Sequence, residues 1–244
     1  MLKTKKYNNE AASYPYVSAI IVAAGNSTRM GGVNKQFLLI DGVPVLIRTL
    51  KAFENSELIK EIVISAREED IPQMYAMLKD YSVKKVSNIV KGGCTRQESV
   101  FNAVRCCMTE SDYIAIHDGA RPLVSTETIE ETIFAAFNFG AAAPGIPVKD
   151  TIKVVDSDGV VVSTPVRDSL RAIQTPQVFN KEMYLNAMQS VPNSELFTDD
   201  CGLMEAFGKL VKIVDGDNTN IKITTPEDLI IAEAIISKGV KDGF

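Results

Sequence analysis

The chain has 244 residues, of which 45% are hydrophobic and 23% are charged, as in ordinary soluble globular proteins. Its formal charge of −5 argues against a general nucleic-acid binder, because such a protein needs a basic face for phosphates. Four cysteines without a C-x-x-C pair, together with a single histidine, argue against a structural zinc site. So few cysteines predict reduced thiols and a cytoplasmic protein.

Residues 1–16 are predicted to form a flexible leader, and residues 17–244 are predicted to form a single domain. The leader contains lysines and asparagines but no hydrophobic segment, so it does not resemble a secretory signal. The longest apolar run, Ala19 to Ala24, is much too short to span a bilayer. We therefore expect neither a membrane nor a nucleic acid among the partners of this chain.

Short apolar runs alternate with amphipathic segments along most of the chain. This pattern predicts an α/β fold of the Rossmann-like type, a mostly parallel sheet with helices on both faces. The predicted strands are 17–22, 61–65, 87–90, 113–116 and 141–146. The predicted helices are 44–53, 68–79, 97–108, a fourth that ends at Gly140, and a last one that starts at Thr225.

Local signals mark the ends of two of these helices. Ser125 or Thr126 can cap the fourth helix, and Gly140 can end it. The last helix begins at Thr225, a cap that Pro226 follows at the first helical position. The residues expected to face the core from the fourth helix are Ile129, Ile133 and Ala136. The apolar stripe expected on the third helix consists of Val100, Val104, Cys107 and Met108.

One segment, residues 148–172, interrupts the alternation of strands and helices. Two apolar strands at 151–155 and 160–164 are joined by a turn at Asp156–Gly159, which predicts a β-hairpin. A lone two-stranded hairpin is unstable in water, so it needs a surface to pack against. We predict that it protrudes as an arm and docks against a second copy of the chain.

The first strand leads into a loop of small residues that ends at Met30, and Lys35 follows closely. Such a loop lies at the carboxyl end of a strand, where α/β sheets bind ligands. Its N–H groups can face anionic oxygens, while Arg29 and Lys35 can offset charge that develops on phosphorus. The same loop also fits a tight turn with solvated cations. Neither G-x-x-x-x-G-K-[ST] nor G-x-G-x-x-G occurs, which disfavours a P-loop ATPase and a dinucleotide-binding dehydrogenase.

A second polar segment, Lys91–Ser99, contains paired glycines that permit close approach of the backbone. Its peptide groups can read the polar edge of a base, and Ser99 can add a hydroxyl. The segment fits equally well as the start of a helix that Thr95 caps.

A third segment, His117–Pro122, follows a buried strand. Asp118 at the strand end can hold Mg²⁺ or bind ribose hydroxyls, and it also fits a merely structural carboxylate. Arg121 can meet a second phosphate. We interpret His117 as a structural histidine, because no serine or cysteine triad signature accompanies it. Further short polar segments are ordinary surface when taken singly: 149–151, Arg167, 175–177, 198–200 and 220–222.

Taken together and in order, these segments resemble one family, the 2-C-methyl-D-erythritol 4-phosphate cytidylyltransferases of the non-mevalonate isoprenoid pathway. The matching segments are AAGNSTRMG, NKQF, GGCTRQESV, HDGARP, KDTIK, QTPQVF, TDD and NIKITTPEDL. They extend from about Val22 to Leu229, nearly the whole chain after its leader. Each segment is weakly specific, but their fixed order makes coincidence very improbable.

The resemblance implies a role for each matching position. Arg29 and Lys35 would stabilise the transition state, and Asp118 would serve the ribose and a Mg²⁺ ion. The residues that would contact the nucleotide are Ala23, Ala24, Gly25, Gly93, Cys94, Ser99, Asp118 and Gly119. Those that would hold the acceptor are Arg121, Thr151, Arg167, Thr198 and Lys222, with Arg167 and Lys222 also counted as catalytic.

In that family the hairpin is an arm that embraces a second subunit, so Thr151 and Arg167 would complete the acceptor pocket of the partner in a homodimer. Two positions depart from the family pattern. Asn26–Ser27 stands where some relatives have a second glycine, which leaves the backbone path of the loop open. Cys94 occupies a variable position, so we expect its backbone to act rather than its thiol.

The implied reaction transfers CMP from CTP to 2-C-methyl-D-erythritol 4-phosphate and gives 4-diphosphocytidyl-2-C-methyl-D-erythritol and pyrophosphate. The attacking phosphate is already ionised, so positioning and charge neutralisation suffice without a general base. The alternatives are a ribitol-5-phosphate cytidylyltransferase and a non-catalytic nucleotide-binding protein of the same fold. A glycosyltransferase would need a D-x-D site, and Asp156–Asp158 matches that string, but we assign it to the hairpin turn.

Overall fold

The computed structural model describes residues 14–25, 34–191 and 197–239. Its strands are β1 Val17–Val22, β2 Leu39–Ile40, β3 Val43–Pro44, β4 Ile59–Ala66, β5 Val86–Lys91, β6 Tyr113–Asp118, β7 Ala141–Pro147, β8 Val154–Val155, β9 Val161–Ser163, β10 Arg171–Ile173, β11 Gln177–Asn180 and β12 Lys212–Asp215. Its helices are α1 Val45–Asn55, α2 Ile71–Asp80, α3 Arg96–Val104, α4 Thr126–Phe139, α5 Lys181–Ser190, α6 Asp200–Ala206 and α7 Pro226–Ser237.

The main sheet has the strand order β5-β4-β1-β6-β11-β7, with β12 on the far side of β7 and β10 also paired to β7. Strands β5, β4, β1 and β6 are parallel to one another, and so are β7 and β12. Only β10 and β11 run antiparallel, and a cis peptide bond between Thr175 and Pro176 joins them. The predicted mostly parallel sheet is therefore confirmed.

Helices cover both faces of this sheet, as the alternation of apolar runs predicts. On one face Ala19 and Ile21 of β1 belong to a buried cluster with residues of α1, α2 and α4. On the other face Ile20 belongs to a cluster with residues of α3, α5 and α6. Because neighbouring residues of a strand point to opposite faces, a strand that is apolar throughout is buried on both sides. No helix among the described residues is long and apolar enough to cross a membrane.

The end signals of two helices act as the sequence predicts. The Ser125 hydroxyl accepts the N–H of Thr128 at 3.1 Å, and Gly140 ends α4 with a left-handed φ of 82°. Thr225 begins α7 through a capping box with Asp228. Ile129, Ile133 and Ala136 are fully buried, as predicted.

Two predictions need correction where tertiary contacts outweigh the local pattern. Helix α3 ends at Val104 rather than at Met108, which is 47% exposed, so the predicted apolar stripe is too long. The end of the predicted leader is attached to the domain, because the N–H of Tyr16 donates to Asp112 Oδ2 at 2.8 Å. Residues 1–13 lie outside the described part of the chain.

The hairpin forms a separate two-stranded sheet, β8 with β9, whose strands are shorter than predicted. Its valines are exposed, with Val154 at 45%, Val161 at 54% and Val162 at 65%. Asp156 Oδ1 accepts the N–H groups of Asp158 and Val160 at 3.0 and 2.9 Å, so this carboxylate builds the turn. The interpretation of the D-x-D string as a turn is confirmed.

Candidate active site

Four parallel strands end at the same edge of the sheet and bring distant loops together. The register places Val22 of β1 beside Ser65 of β4 on one side and Asp118 of β6 on the other, with Lys91 at the end of β5. A cavity of about 350 Å³ opens at this edge, where α/β sheets bind their ligands. Its lining consists of Val22, Ala24, Gly25, Lys35, Gln36, Gly93, Cys94, Thr95, Arg96, Ser99, Asp118, Ala120 and Lys222.

Asp118, the last residue of β6, is the carboxylate of this lining and is 9% exposed. Lys222 Nζ lies 2.9 Å and Arg121 Nε 3.5 Å from its Oδ2, while Arg96 Nε lies 4.0 Å from its Oδ1. Burial works to raise the pKa of Asp118, but the charges of Lys222, Arg96 and Arg121 hold it well below its usual range. The carboxylate is therefore ionised at neutral pH and surrounded by cations.

The segment that contains Lys222 is bound to the loop after β6. The N–H of Ile223 donates to the carbonyl oxygen of Ala120 at 2.8 Å, and Arg121 Nη1 donates to that of Asn220 at 2.7 Å. Lys35 Nζ donates to the carbonyl oxygen of Ile223 at 3.1 Å. These contacts bring Lys35 and Lys222 to one cavity, although their positions in the sequence differ by 187.

The loop before α3 is held by its own side chains. Thr95 caps the helix by accepting the N–H of Glu98, and Glu98 Oε2 accepts the N–H of Cys94 at 2.6 Å. The N–H of Gly93 donates to Ser99 Oγ at 3.0 Å. Since both N–H groups are engaged within the loop, its carbonyl oxygens are the backbone groups available to a ligand. Carbonyl oxygens accept from an amino group such as N4 of cytosine.

Glycine is required at position 92 by the packing of two loops. A Cβ on Gly92 would overlap the Cβ of Ala24 and would lie 3.0 Å from Ser99 Oγ. The loop before α3 and the loop after β1 therefore touch through this glycine. The predicted close approach of the backbone occurs here, between two parts of the protein.

His117 has the structural role that its sequence context predicts. It is fully buried, its ring lies 4.9 Å from that of Phe53, and Thr175 Oγ1 and the carbonyl oxygen of Arg121 lie within 2.9 and 3.2 Å of its two nitrogens. Burial lowers the pKa of His117 to about 3. The histidine is therefore neutral and has no free nitrogen for proton transfer.

An ion pair that the sequence does not reveal lies behind the cavity. Arg96 Nη1 donates to Asp200 Oδ2 at 2.6 Å, and Tyr184 donates its hydroxyl to Asp200 Oδ1 at 2.7 Å. The side chain of Asp200 is 1% exposed. Both Arg96 and Asp200 occur in motif segments, but 104 residues separate them, so no local signal pairs them.

The structure brings most, but not all, of the predicted site residues to the cavity. Ala23 is buried, and its N–H donates to the carbonyl oxygen of Ser65 at 2.7 Å, so it does not line the cavity as predicted. Gly119 and Arg121 lie directly behind Asp118 rather than in the lining. Thr198 is exposed outside the lining. Arg29 lies outside the described residues.

Thr151 and Arg167 also lie apart from this cavity, at the base of the hairpin. Both are exposed, and Arg167 Nη1 donates to the carbonyl oxygen of Lys149 at 3.3 Å. Arg167 and Arg171 line a second, open cavity together with Lys149 and Asp168. Within one chain, Thr151 and Arg167 therefore do not reach Asp118.

The donor set at Asp118 suits an ion that is held partly by its substrate. No group of three or more histidine, cysteine, aspartate or glutamate side chains suitable for a metal occurs among residues 14–25, 34–191 and 197–239. Mg²⁺ commonly takes one or two protein carboxylates and completes its shell with water and substrate phosphates. Asp118 fits such a site, since Arg96 Nε lies 4.0 Å from its Oδ1, which is beyond hydrogen-bond distance.

Comparison with known proteins identifies the family to which this chain belongs. Residues 17–238 match the sequence profile of the family 2-C-methyl-D-erythritol 4-phosphate cytidylyltransferase. The protein of that name from Caldanaerobacter subterraneus subsp. tengcongensis is 49% identical over 225 residues, which is 91% of this chain and 99% of the relative. The one from Bacillus thuringiensis is 45% identical over 89% of this chain and 96% of its own length.

Solved structures agree with the sequence comparison. The 4-diphosphocytidyl-2C-methyl-D-erythritol synthase of Anaerococcus prevotii superposes with a TM-score of 0.82 at 35% identity, covering 91% of this chain and 96% of its own. The 2-C-methyl-D-erythritol 4-phosphate cytidylyltransferase of Thermus thermophilus superposes with a TM-score of 0.72 at 29% identity, covering 91% of this chain and 99% of its own. The chain belongs to the 2-C-methyl-D-erythritol 4-phosphate cytidylyltransferase family.

Proposed function

We propose that the Asp118 cavity is the site where this cytidylyltransferase moves CMP from CTP to 2-C-methyl-D-erythritol 4-phosphate and releases pyrophosphate. One observation carries the assignment to this cavity. Lys35, Lys222 and Asp118, from three distant segments, share a lining with the glycine loops at Gly25 and Gly93. Cations and backbone of this kind are what a transfer between phosphates requires.

The arrangement of the lining gives CTP one orientation. The triphosphate lies between the loop at Gly25 and the ammonium groups of Lys35 and Lys222, because these supply positive charge. The cytosine lies at the loop of Gly93 and Cys94, whose carbonyl oxygens face an amino group. The ribose then lies between the two, beside Asp118.

The chemistry needs no proton transfer by the protein. A phosphate oxygen of the acceptor attacks the α-phosphorus of CTP, its bond to phosphorus forms as the bond to pyrophosphate breaks, and pyrophosphate carries away the electron pair. Lys35 and Lys222, together with Arg29, neutralise the charge that accumulates on the phosphorus oxygens. His117 takes no part, because it is buried and neutral.

Asp118 is the residue that would hold Mg²⁺ in this site. When bound, the ion would neutralise charge on the triphosphate and orient it. Asp118 itself also orients Lys222, since Lys222 Nζ lies 2.9 Å from Asp118 Oδ2.

The hairpin supports a homodimer with shared sites. Its exposed valines need a covering surface, and Arg167 and Thr151 at its base do not reach the cavity of their own chain. Residues 148–172 therefore act as an arm that places Thr151 and Arg167 beside the acceptor in the partner, while Arg121 and Thr198 hold it from the chain that binds CTP. The four free cysteines support a cytoplasmic location.

The assay is pyrophosphate release from CTP by the purified chain with each of two acceptors, 2-C-methyl-D-erythritol 4-phosphate and ribitol 5-phosphate. We expect turnover with the first acceptor, in agreement with the family match. Turnover with ribitol 5-phosphate alone would assign the chain to the sister activity. Binding of CTP without pyrophosphate release from either acceptor would indicate a nucleotide-binding protein that does not catalyse transfer.

A further inference from the structure

Gln36 is a buried amide in the cavity lining that the proposed reaction does not use. It is 3% exposed, and its Oε1 has no hydrogen-bond partner among the described residues. A buried carbonyl oxygen that lacks a donor costs free energy, so such atoms are uncommon in folded proteins. Their occurrence in a ligand cavity indicates that the ligand supplies the donor.

The position of Gln36 is fixed by a chain of contacts outside the cavity. Its N–H donates to Asn34 Oδ1 at 3.0 Å, and Asn34 Nδ2 donates to Asp70 Oδ2 at 2.7 Å. Arg67 binds the same carboxylate through Nε at 2.7 Å and Nη2 at 2.9 Å. The backbone of Gln36 is therefore anchored to the start of α2, and this fixes the position of its Cα.

On the other side, Gln36 packs against the bare Cα of Gly119. A Cβ at position 119 would lie 3.0 Å from Oε1 and 3.3 Å from Nε2 of Gln36. Gly119 is itself fixed, because its N–H donates to the carbonyl oxygen of Val22 at 2.9 Å and its own carbonyl oxygen accepts from Thr49 Oγ1 at 3.0 Å. Glycine at 119 thus makes the space that the Gln36 amide occupies beside the cavity.

The chemistry of CTP selects the group that meets this oxygen. The ionised triphosphate offers only acceptors, so it cannot satisfy Oε1. The amino group of cytosine is a donor, but in the proposed orientation it lies at the loop of Gly93. The two ribose hydroxyls remain, and the ribose lies beside Asp118, which directly precedes Gly119 in the chain. Lys35, the neighbour of Gln36, then faces the adjoining phosphates.

We infer that Gln36 is a specificity-determining residue whose side-chain oxygen accepts a hydrogen bond from a ribose hydroxyl of CTP. The enzyme thereby selects ribonucleotides over deoxyribonucleotides. A site that is built to bind a substrate hydroxyl rejects the analogue that lacks it, because the polar group of the site is left unpaired. This inference rests on the proposed function and deepens it.

The test compares kcat/KM for CTP, 2′-deoxy-CTP and 3′-deoxy-CTP, measured by pyrophosphate release at saturating 2-C-methyl-D-erythritol 4-phosphate. The variants are Gln36→Met, which removes the acceptor, and Gln36→Glu, which retains an accepting oxygen. Gln73→Met makes the same change on the exposed face of α2 and serves as the matched control. Thermal unfolding of each variant reports whether it folds.

We expect the wild type and Gln73→Met to prefer CTP over at least one deoxynucleotide. Gln36→Met should lower kcat/KM for CTP by roughly ten- to a hundredfold, the effect of one lost hydrogen bond to a buried group. The kcat/KM for that deoxynucleotide should stay nearly unchanged. The ratio of kcat/KM for CTP to kcat/KM for the deoxynucleotide therefore falls towards one. Gln36→Glu should keep a preference for CTP even where its added charge weakens binding of all three nucleotides.

Three results would overturn the inference: an unchanged ratio in Gln36→Met, an equal loss for all three nucleotides, or a wild type without preference. Should Gln36→Met fail to fold, the Gln36→Glu ratio decides, since loss of the preference there contradicts a role as acceptor. Failure of the proposed function is a different result, namely no pyrophosphate release by the wild type with CTP and this acceptor.

Discussion

Lys222 Nζ lies 2.9 Å from Asp118 Oδ2, so a cation from a late loop is paired with a carboxylate at the end of the central strand β6. The pair is only partly shielded, because the side chain of Lys222 is 39% exposed. The ammonium group can therefore turn to a phosphate without leaving the cavity. This geometry places a positive charge beside Asp118 in the cavity lining.

Removing that charge should slow the reaction far more than it weakens CTP binding. We expect Lys222→Met to cost ~3–4 kcal/mol in the transition state, about a hundred- to a thousandfold in kcat. Lys35→Ala should have an effect of the same order, since it lines the same cavity. Steady-state pyrophosphate release at saturating CTP measures both. Lys212→Met, on the exposed surface of β12, is the control, and near-full turnover of Lys222→Met would contradict the mechanism.

The cysteines of the chain offer a direct probe of where CTP binds. Cys94 is exposed in the cavity lining, whereas Cys106 is exposed elsewhere. We expect CTP to protect Cys94, but not Cys106, from alkylation by iodoacetamide. At a concentration ten times its Kd, CTP should slow the reaction of Cys94 about tenfold, because only the unliganded fraction reacts. Mass spectrometry of the two peptides gives both rates in one sample, and equal rates would place CTP elsewhere.

The buried histidine predicts how stability depends on pH. The pKa of His117 is lowered from 6.5 to about 3, with burial as the main cause. Between these values the unfolded chain binds a proton that the folded chain does not. The free energy of unfolding should therefore fall as pH drops below about 6.5, by up to about 1.4 kcal/mol per pH unit, until about pH 3.

The comparison is with His117→Asn in urea titrations between pH 7 and 5. The chain has a single histidine, so few other groups titrate in this range. In the variant the free energy of unfolding should no longer fall between pH 7 and 5, even if the variant is less stable at every pH. Parallel curves for the two proteins would show that His117 is protonated in the folded state.

Mixed dimers test whether the arm completes the site of the partner. Lys35→Ala removes a cavity residue and Arg167→Ala removes an arm residue, so each homodimer should be nearly inactive. If the sites are shared, a mixed dimer carries both changes at one site and neither at the other. Unfolding and refolding an equal mixture should then restore about a quarter of wild-type turnover, because random pairing gives mixed dimers in half of the molecules.

Sedimentation of the wild type and of a chain that lacks residues 153–162 accompanies this experiment. We expect the shortened chain to lose the dimer. If the refolded mixture regains no turnover while the wild type is dimeric, Arg167 acts within its own chain. The prediction of shared sites is then wrong.

Elements that depend on a few neighbouring residues could be predicted from the sequence alone. Gly140 ends α4 and Thr225 begins α7, because a cap or a left-handed residue is decided within one helical turn. The apolar run of β1 specifies a strand that is buried on both faces. The motif segments in their order were sufficient to predict the family, which the comparisons confirm.

Only the tertiary structure decides which groups meet. Arg96 pairs with Asp200, and Lys222 with Asp118, each across 104 positions of sequence, because parallel strands end at one edge of the sheet. No local pattern encodes that distance. For the same reason, the carbonyl oxygen of Ser65 engages the N–H of Ala23 and withdraws it from the cavity, while Gln36 enters the lining. The sequence specifies which chemical groups are available, and the packing of the sheet decides which of these groups line the cavity.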